Sequence, residues 1–344
     1  MQKVLRIGTR ESQLAVWQAT LVQNLLKEAG VASELVYIKS EGDIDTVTPL
    51  YALGVTGVFT KALDAALLNN RIDIAVHSMK DVPVQLAEGI QQAAVLERAS
   101  HKDILVFHPN ISQRNSKYIV EHIIFTSGGK RSKEIRWKFP LAEHPEKPGT
   151  PESMIVATSS IRRIAQWLNT FPDTQIQNLR GNVNTRLRKL QESNWHGAIF
   201  AAAGLERIGL RPENSVDLDW MLPAPAQGAI MIVCRDNDDF AFESCQPFNH
   251  SKTALATKIE RDFLSALMGG CSTPISALAE VKNKYVYFQG NIVSPDGKQK
   301  QHVSLSLPRE DAASLGIDAA KVLFENGGQA IVDSIRKKGL TDEA

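Results

Sequence analysis

The chain has 344 residues, of which 43% are hydrophobic and 22% charged, and its 39 Lys and Arg are balanced by 38 Asp and Glu. This balance gives no sign of nucleic acid or an anionic membrane as a partner, so any basic site has to be local. No apolar stretch approaches the ~20 residues of a membrane span and the amino terminus lacks a signal-peptide core, so we expect a cytoplasmic protein of two or three domains.

The first part of the chain alternates between strands and helices. Apolar runs of strand length are followed by stretches with an apolar residue every three or four positions, which is the pattern of an amphipathic helix. The predicted elements are strand 4–8, helix 12–30, strand 34–38, helix 58–70, strand 72–78 and strand 103–107. This order favours a parallel α/β architecture.

The remainder of the chain divides into three stretches. Residues 108–153 are poorly patterned and predict a surface insertion, partly ordered around YIVEHIIF at 118–125. The alternation then resumes with strand 154–160, helix 161–171, strand and turn 175–181, helix 182–193, strand 197–205 and strand 229–234. From about 250, a long helix at 252–267, strands at 284–293 and 302–307, and helices within 309–338 predict a smaller α+β unit.

Residues 77–83, HSMKDVP, place an adjacent Lys80 and Asp81 directly after the buried run RIDIAV at 71–76. Charges are expensive to bury unless they are paired or used. An isolated Lys–Asp pair at this position is ordinarily a strand that exits into solvent and turns at Pro83. The rest of the sequence has to decide between that interpretation and a functional one.

Residues 4–19 and 154–167 repeat one pattern, in which an apolar strand leads through Thr or Ser hydroxyls into a helix. Such hydroxyls are usually N-caps, and the free N–H groups of a helix start favour an anion. Arg10 in the first copy, and Arg162 and Arg163 in the second, are unexpected because a cation opposes the helix dipole there. This pattern indicates a shared anionic ligand.

More arginines follow predicted strands, at the strand ends where open α/β sheets bind ligands. Arg180 precedes Gly181, Arg186 lies in the first turns of the next helix, and Arg207 follows AAAGLE. The planar fork of arginine suits carboxylate or phosphate groups, so the ligand should carry several negative charges. Neither a GxxxxGK[ST] loop nor a well-placed GxGxxG is present. Gln227 precedes a strand, and we expect it to lie at a crossover between domains.

The three cysteines are widely spaced and form no CxxC pair, which argues against a disulfide framework or a zinc site. Cys234 lies in a predicted buried strand and Cys245 in a polar segment. Cys271 lies in MGGCSTP, a turn in which a sulfur can be exposed; an incidental loop thiol is the alternative.

Seven stretches together resemble the porphobilinogen deaminase (hydroxymethylbilane synthase) family. They occur in the family's order and cover nearly the whole chain except 108–153. The stretches are LRIGTRESQLAVWQA (5–19), NNRIDIAVHSMKDVP (69–83), ATSSIRR (157–163), LRGNVNTRL (179–187), AAGLERIGL (202–210), PAPAQGAI (223–230) and GGCSTPI (269–275). HSMKDVP combined with LRGNVxTR and GGC is highly specific.

The resemblance implies two α/β lobes like those of periplasmic binding proteins, flanking a cleft, and a smaller C-terminal α+β domain. The implied boundaries are 1–104 with 224–247, 105–223 including the atypical insertion, and 250–344. It also implies a dipyrromethane cofactor held by a thioether to Cys271. On that primer the family condenses four porphobilinogen molecules to the linear tetrapyrrole hydroxymethylbilane, in porphyrin and haem biosynthesis, with release of four ammonia molecules. A cytoplasmic monomer without metal is expected.

The resemblance assigns roles to individual residues. Asp81 is the implied catalytic carboxylate, which would stabilise cationic pyrroles and help to move protons. The implied binders of substrate and cofactor carboxylates are Arg10, Ser12, Lys80, Thr158, Ser159, Ser160, Arg162, Arg163, Arg180 and Arg186, with Gln18, Arg207 and Gln227 as further contributors. Many carboxylates in one cleft would explain many arginines in a chain of near-zero net charge.

The sequence departs from the family at two places. Loop lysines that the family commonly carries are replaced by Ala52 and Thr56. The other departure is the insertion, whose basic cluster could substitute for those lysines or be a solvated loop; the cluster is Lys130, Arg131, Lys133, Arg136 and Lys138.

Two other functions would account for parts of the sequence. A non-enzymatic, two-lobed anion-binding protein explains the arginines and the repeat, but not Cys271 or Asp81. A nucleic-acid-binding protein could use the 130–138 cluster, but the neutral net charge and the lack of interleaved aromatic residues count against it.

Overall fold

The computed structural model describes residues 3–40, 60–110, 120–127, 130–137, 154–267 and 273–341, with the backbone alone described in 120–127, 130–137 and 336–341. In chain order the strands and helices are β1 (Leu5–Thr9), α1 (Gln13–Glu28), β2 (Ser33–Tyr37), α2 (Lys61–Leu68), β3 (Ile74–Ser78), β4 (Ile90–Val95), β5 (Asp103–Phe107), β6 (Val120–Ser127), β7 (Lys130–Trp137), β8 (Ile155–Ala157), α3 (Ile161–Thr170), β9 (Gln175–Gln177), α4 (Val183–Gln191), β10 (Gly197–Ala201), α5 (Ala202–Glu206), β11 (Ser215–Asp217), β12 (Ile230–Arg235), α6 (Asp239–Cys245), α7 (Ser251–Leu267), β13 (Ile275–Lys282), β14 (Tyr285–Val293), β15 (Lys300–Pro308), α8 (Leu315–Leu323) and α9 (Gln329–Thr341).

The first lobe is built on a five-stranded sheet in the order β2-β1-β3-β12-β4. Alternate residues of β3 point to opposite faces, as strand geometry requires. Ile74 and Val76 pack in the cluster that contains residues of α1, whereas Ala75 packs with residues of α2. The sheet is therefore buried on both faces, and its loops remain available for a site.

The second lobe has a five-stranded sheet in the order β11-β5-β10-β8-β9. Ala198 and Phe200 of β10 pack in one cluster with residues of α4 and α5, while Ile199 packs on the other face with Trp167 of α3. The fold class predicted from the sequence, two α/β lobes and a smaller α+β unit, is confirmed.

The sequence favoured a parallel α/β architecture, but both sheets are mixed. β12 runs antiparallel to β3 and β4, and β5 runs antiparallel to β10 and β11. The other pairs in both sheets, such as β1 with β2 and β8 with β10, are parallel. The antiparallel strands follow from the topology, because β5 and β12 are the strands that the chain enters when it crosses from one lobe to the other.

The third unit is a three-stranded antiparallel sheet, β13-β14-β15, covered by α7 and α8. Phe263 of α7 and Phe288 of β14 lie at the centre of this core, with ring centroids 5.0 Å apart. The opposite face is exposed at Tyr285 and Tyr287 of β14, but farther along the strand Asn291 is buried and donates to Gln166 of α3 in the second lobe. Whether the three sheets are separate folding domains with the predicted boundaries stays a prediction.

Several elements differ from the sequence prediction. The strand predicted over 197–205 ends at Ala201, where α5 begins. Part of the expected insertion forms an antiparallel hairpin of β6 and β7. The sequence pattern missed β4, β11, β13 and α6. Two glutamines interrupt the apolar run of β4, β11 has three residues, and the alanines in β13 give a weak strand signal.

The two chain crossings between the lobes lie side by side. Ala99 donates its backbone N–H to the carbonyl of Gly228 at 3.1 Å. A Cβ on Gly228 would lie 2.6 Å from the carbonyl oxygen of Ser100, and the residue has φ +88°, so this contact requires glycine.

Glu260 of α7 joins both crossings to the third unit. Its carboxylate is fully buried and pairs with both terminal nitrogens of Arg98, at 2.6 and 3.1 Å. It also accepts backbone N–H bonds from Ala226 at 2.6 Å and Ala279 at 2.7 Å. A buried charge with this many donors is satisfied, so Glu260 ties the lobes and the third unit together at one point. Along the described residues, every helix is too short or too polar to span a lipid bilayer.

Candidate functional site

A cavity of about 420 Å³ lies where the two lobes and the third unit meet. It is lined by the loops that follow β1, β3 and β8, at the strand ends where α/β sheets bind ligands. Leu264, Thr273 and Ile275 of the third unit complete the wall. Most of the residues predicted from the sequence line it: Arg10, Ser12, Lys80, Asp81, Thr158, Ser159, Ser160, Arg162, Arg163, Arg180, Arg186 and Gln227.

The turn after β3 presents the adjacent charges. Met79–Asp81 form a single 3₁₀ turn, in which the Met79 side chain is buried in the core of the first lobe. The turn is held by a bond from Met79 N to the Ala229 carbonyl and one from Val82 N to the Met79 carbonyl. Because Met79 anchors the turn in the core, Lys80 and Asp81 face the cavity rather than bulk solvent.

Arg162 and Arg163, at the start of α3, share a carboxylate partner that the sequence analysis did not identify. Asp103, the first residue of β5, is fully buried and lies 2.7 Å from Arg162 Nη2 and 2.8 Å from Arg163 Nη2. Burial would raise the pKa of Asp103, but these arginines outweigh it and lower the pKa to about 2. A permanent anion therefore holds both guanidinium groups at the cavity wall. The available signal was an Asp at the start of the apolar strand DILVF.

Lys80 is linked to the same carboxylate through Gln227. The Gln227 side chain donates to Asp103 at 2.9 Å and accepts from Lys80 Nζ at 3.3 Å. Burial lowers the pKa of Lys80 to about 8, although the nearby charge of Asp81 opposes the shift. Without an anionic ligand, Lys80 therefore loses its positive charge at a lower pH than an exposed lysine does.

Arg186 and Ser159 are held in place by contacts within the second lobe. Arg186 Nε donates to the Gly181 carbonyl at 2.7 Å, and burial together with the charge of Arg163 lowers its pKa to about 10. Ser159 Oγ donates to Asn178 and accepts from the backbone N–H of Leu179 at 2.9 Å. The hydroxyl therefore helps to shape the loop beside Arg180.

The helix starts that the repeat predicted are present on both lobes. Ser12 caps α1 by accepting from Ala15 N, and Ser160 precedes α3 without a side-chain cap bond. At the exposed edge of the cavity, Asn184 of α4 donates to Gln13 of α1 at 2.9 Å, which links the lobes.

Two predicted residues lie outside the cavity lining. Gln18 donates to Ser78 Oγ at 2.9 Å, and so supports a residue that does line the cavity. Arg207 donates to the Gly228 carbonyl at 2.7 Å and lies over the Trp17 ring. Cys271, Ala52, Thr56 and Lys138 lie outside the described residues, and the other members of the 130–138 cluster lie on β7, of which the backbone alone is described.

The cavity is strongly cationic. Among the described residues that line it, one carboxylate, Asp81, faces six cationic side chains: Arg10, Lys80, Arg162, Arg163, Arg180 and Arg186. Asp103, behind the wall, compensates part of the charge of Arg162 and Arg163. The positive charge that remains favours a ligand with several negative groups, because like charges at close range destabilise one another. Within the described ranges, no group of three or more His, Cys, Asp or Glu is placed to hold a metal ion.

Solved structures with a similar backbone include binding proteins of transporters. One is a probable amino-acid ABC transporter extracellular-binding protein, ytmK from Bacillus subtilis, with a TM-score of 0.37 and 10% identity over 72% of this chain and 90% of that chain. Another is a putative periplasmic sulfonate-binding protein, SsuA from Methylobacillus flagellatus KT, with a TM-score of 0.36 and 13% identity over 77% of this chain and 69% of that chain.

Family models and curated relatives match the chain along nearly its whole length. The model described as "Porphobilinogen deaminase, dipyromethane cofactor binding domain" matches residues 5–149 and 141–243, and the model of the C-terminal domain matches 254–325. Porphobilinogen deaminases from Syntrophomonas wolfei and Pelotomaculum thermopropionicum are each 37% identical to this chain, over 97% and 98% of it and 99% of each relative. The chain therefore belongs to the porphobilinogen deaminase family, as its motifs predicted.

Proposed function

We propose that the cationic cavity is the site at which this chain condenses four porphobilinogen molecules into hydroxymethylbilane. The reaction and the dipyrromethane cofactor are those of the family to which the chain belongs. The observation that carries the assignment to this cavity is its lining, in which six cations from both lobes surround the carboxylate of Asp81. Each pyrrole brings an acetate and a propionate, which suits a wall of guanidinium groups.

The residues present fit the dipyrromethane group. Its carboxylates would be held by the arginines on the second-lobe wall, Arg162, Arg163, Arg180 and Arg186, which donate in planar forks. We propose Cys271 as the attachment point, because it lies in the family motif GGCSTPI and because Leu264 and Thr273, which precede and follow it in the chain, both line the cavity. When bound, the group supplies the pyrrole end from which the product grows.

Asp81 is the proposed catalytic carboxylate. Loss of ammonia from the aminomethyl group of porphobilinogen leaves a cationic substrate, and the attacked ring is cationic until it loses a proton. A fixed carboxylate in a cavity of low dielectric stabilises both charges and can take up or return the proton. Lys80 orients a substrate carboxylate beside it. We place this activity in the cytoplasm, in a monomer that needs no metal.

Intact-mass measurement of the purified protein tests the proposal. We expect the wild type to exceed its sequence mass by a covalent dipyrromethane and to colour with Ehrlich's reagent. Cys271→Ser should have the bare sequence mass and no activity, whereas Cys234→Ala, the control for a buried thiol, should keep the adduct. A wild type of bare sequence mass that stays inactive with porphobilinogen and with preformed hydroxymethylbilane would contradict the proposal and favour a non-enzymatic anion-binding protein.

The pKa of Lys80 predicts an alkaline limit to substrate capture. Its side chain is charged below a pKa of about 8 and neutral above it, in a setting formed by Asp81, Asp103, Arg162 and Arg163. We therefore expect kcat/KM, which reports the free enzyme, to fall by up to about tenfold per pH unit above pH 8. Lys80→Arg should shift this fall in kcat/KM to higher pH, because a guanidinium stays charged.

The matched control for this profile is Lys258→Arg on the exposed surface of α7. It should leave the profile of kcat/KM against pH unchanged. An alkaline limb that is identical in the wild type and Lys80→Arg would show that another group titrates.

A further inference from the structure

Helix α7 contacts the chain crossings, the cavity and the first lobe through neighbouring side chains. Glu260 binds both chain crossings, Leu264 lines the cavity, and Arg261 reaches into the first lobe. The helix ends at Leu267, four residues before the proposed attachment cysteine. It therefore connects the proposed cofactor-attachment segment to the part of the first lobe that Arg261 binds.

Arg261 holds the turn that presents Asp81. Arg261 is 8% exposed. Its guanidinium donates from Nη1 to the Val82 carbonyl at 2.9 Å and from Nη2 to the carbonyls of Pro83 and Val84 at 2.5 and 2.9 Å. These three consecutive acceptors immediately follow Asp81 in the chain.

An arginine is specifically suited to this position. Consecutive carbonyls of an irregular segment have no partners in a helix or sheet, and buried carbonyls need donors. Arg261 supplies several donors from one rigid plane, and an ammonium offers no such fork. The guanidinium thus fixes the backbone from Val82 to Val84, while Met79 anchors the other end of the turn in the core.

We propose that Arg261 is a positioning residue for Asp81, through which the third unit sets the place of the catalytic carboxylate. The inference rests on the proposed role of Asp81. Arg261 does not line the cavity among the described residues, so it acts through the backbone of the turn rather than on substrate. Displacement of a reacting group by about 1 Å can lower a rate by 100-fold.

The test compares Arg261→Lys with Arg235→Lys. Arg235 is a matched control, since it is also largely buried and donates to backbone carbonyls, those of Leu67 and Ile72, away from the cavity. We expect both variants to carry the covalent cofactor and to lose similar stability. Arg261→Lys alone should lower kcat by about 10- to 100-fold with little change in KM.

Two further readouts separate positioning from general weakening. Hydrogen exchange of the Val82 amide, which bonds to the Met79 carbonyl, should accelerate in Arg261→Lys and not in Arg235→Lys. In an Asp81→Asn background, Arg261→Lys should lower kcat no further, because both changes remove the same interaction.

The outcomes are distinguishable from failure of the proposed function. Unchanged turnover of Asp81→Asn would contradict the proposed catalytic role of Asp81, on which this inference rests. Loss of turnover in Asp81→Asn with equal kcat for Arg261→Lys and Arg235→Lys would overturn this inference alone, as would additive losses in the double variant. If Arg261→Lys does not fold, Arg261→Gln takes its place, and failure of both to fold would overturn the inference by making Arg261 a folding residue.

Discussion

Asp81→Asn should leave the protein folded and cofactor-loaded but lower kcat by roughly 100- to 1,000-fold, the usual cost of removing one electrostatic stabiliser of a transition state. The amide has nearly the shape of the carboxylate and lacks its charge. The single carboxylate among the described lining residues would then be gone from a cavity with six cationic side chains, and the buried Asp103 is already paired with Arg162 and Arg163.

The measurement is porphobilinogen consumption by protein whose adduct has been verified by mass. KM should change little, because the arginines that bind the substrate carboxylates remain. Asp219→Asn, which removes a carboxylate from an exposed ion pair with Lys102, is the control and should retain wild-type turnover. A wild-type kcat in Asp81→Asn would refute the catalytic assignment.

Asp103→Asn should lower the free energy of unfolding by about 3–5 kcal/mol, because removing one partner of a buried ion pair leaves uncompensated charge. Two arginines would be affected at once, since Arg162 and Arg163 are 4% and 5% exposed and both pair with this carboxylate. Urea unfolding of the wild type and the variant measures the difference.

The control for Asp103→Asn is Asp217→Asn. Asp217 also pairs with two cations, Lys102 and Arg211, but at the surface, where an ion pair contributes up to about 1 kcal/mol. A multivalent carboxylate such as citrate should stabilise Asp103→Asn more than the wild type, because a ligand that binds the folded state shifts the equilibrium. Equal losses of stability in the two variants would show that Asp103 does not compensate the arginines.

The sequence predicted the strand and helix alternation and the turns that carry Lys80, Arg162 and Arg186, because these depend on local patterns. From the arginines at the start of α3, the sequence also predicted a bound anionic ligand that would neutralise them. Asp103 supplies part of that neutralisation permanently. It lies 60 residues from Arg163 in the chain, and no local pattern indicates which strand start comes to lie beside which helix start.

The same limit applies to the partners contributed by the third unit. Arg261 and Val82 are 179 residues apart, and Glu260 and Arg98 are 162 apart. Helical periodicity placed Arg261 on a helix, but it gave no indication of what that helix contacts. The direction of β5 and β12 was missed for a related reason, because an apolar run has the same composition in a parallel and an antiparallel pair.

The size of the cavity bears on how synthesis proceeds. Its 420 Å³ lies near the lower end of the roughly 300–1,000 Å³ typical of sites for one drug-sized molecule, whereas a tethered oligomer gains a ring in every cycle. The growing oligomer therefore needs more room than this volume offers, either through the open mouth of the cavity or by separation of the lobes. The hydrogen bond between the exposed side chains of Gln13 and Asn184 can be replaced by bonds to water at little cost. The bonds of Glu260 are buried, so breaking them costs more. We therefore expect the Gln13–Asn184 contact to break first, so that the lobes separate at the exposed edge of the cavity while the contacts at Glu260 stay intact.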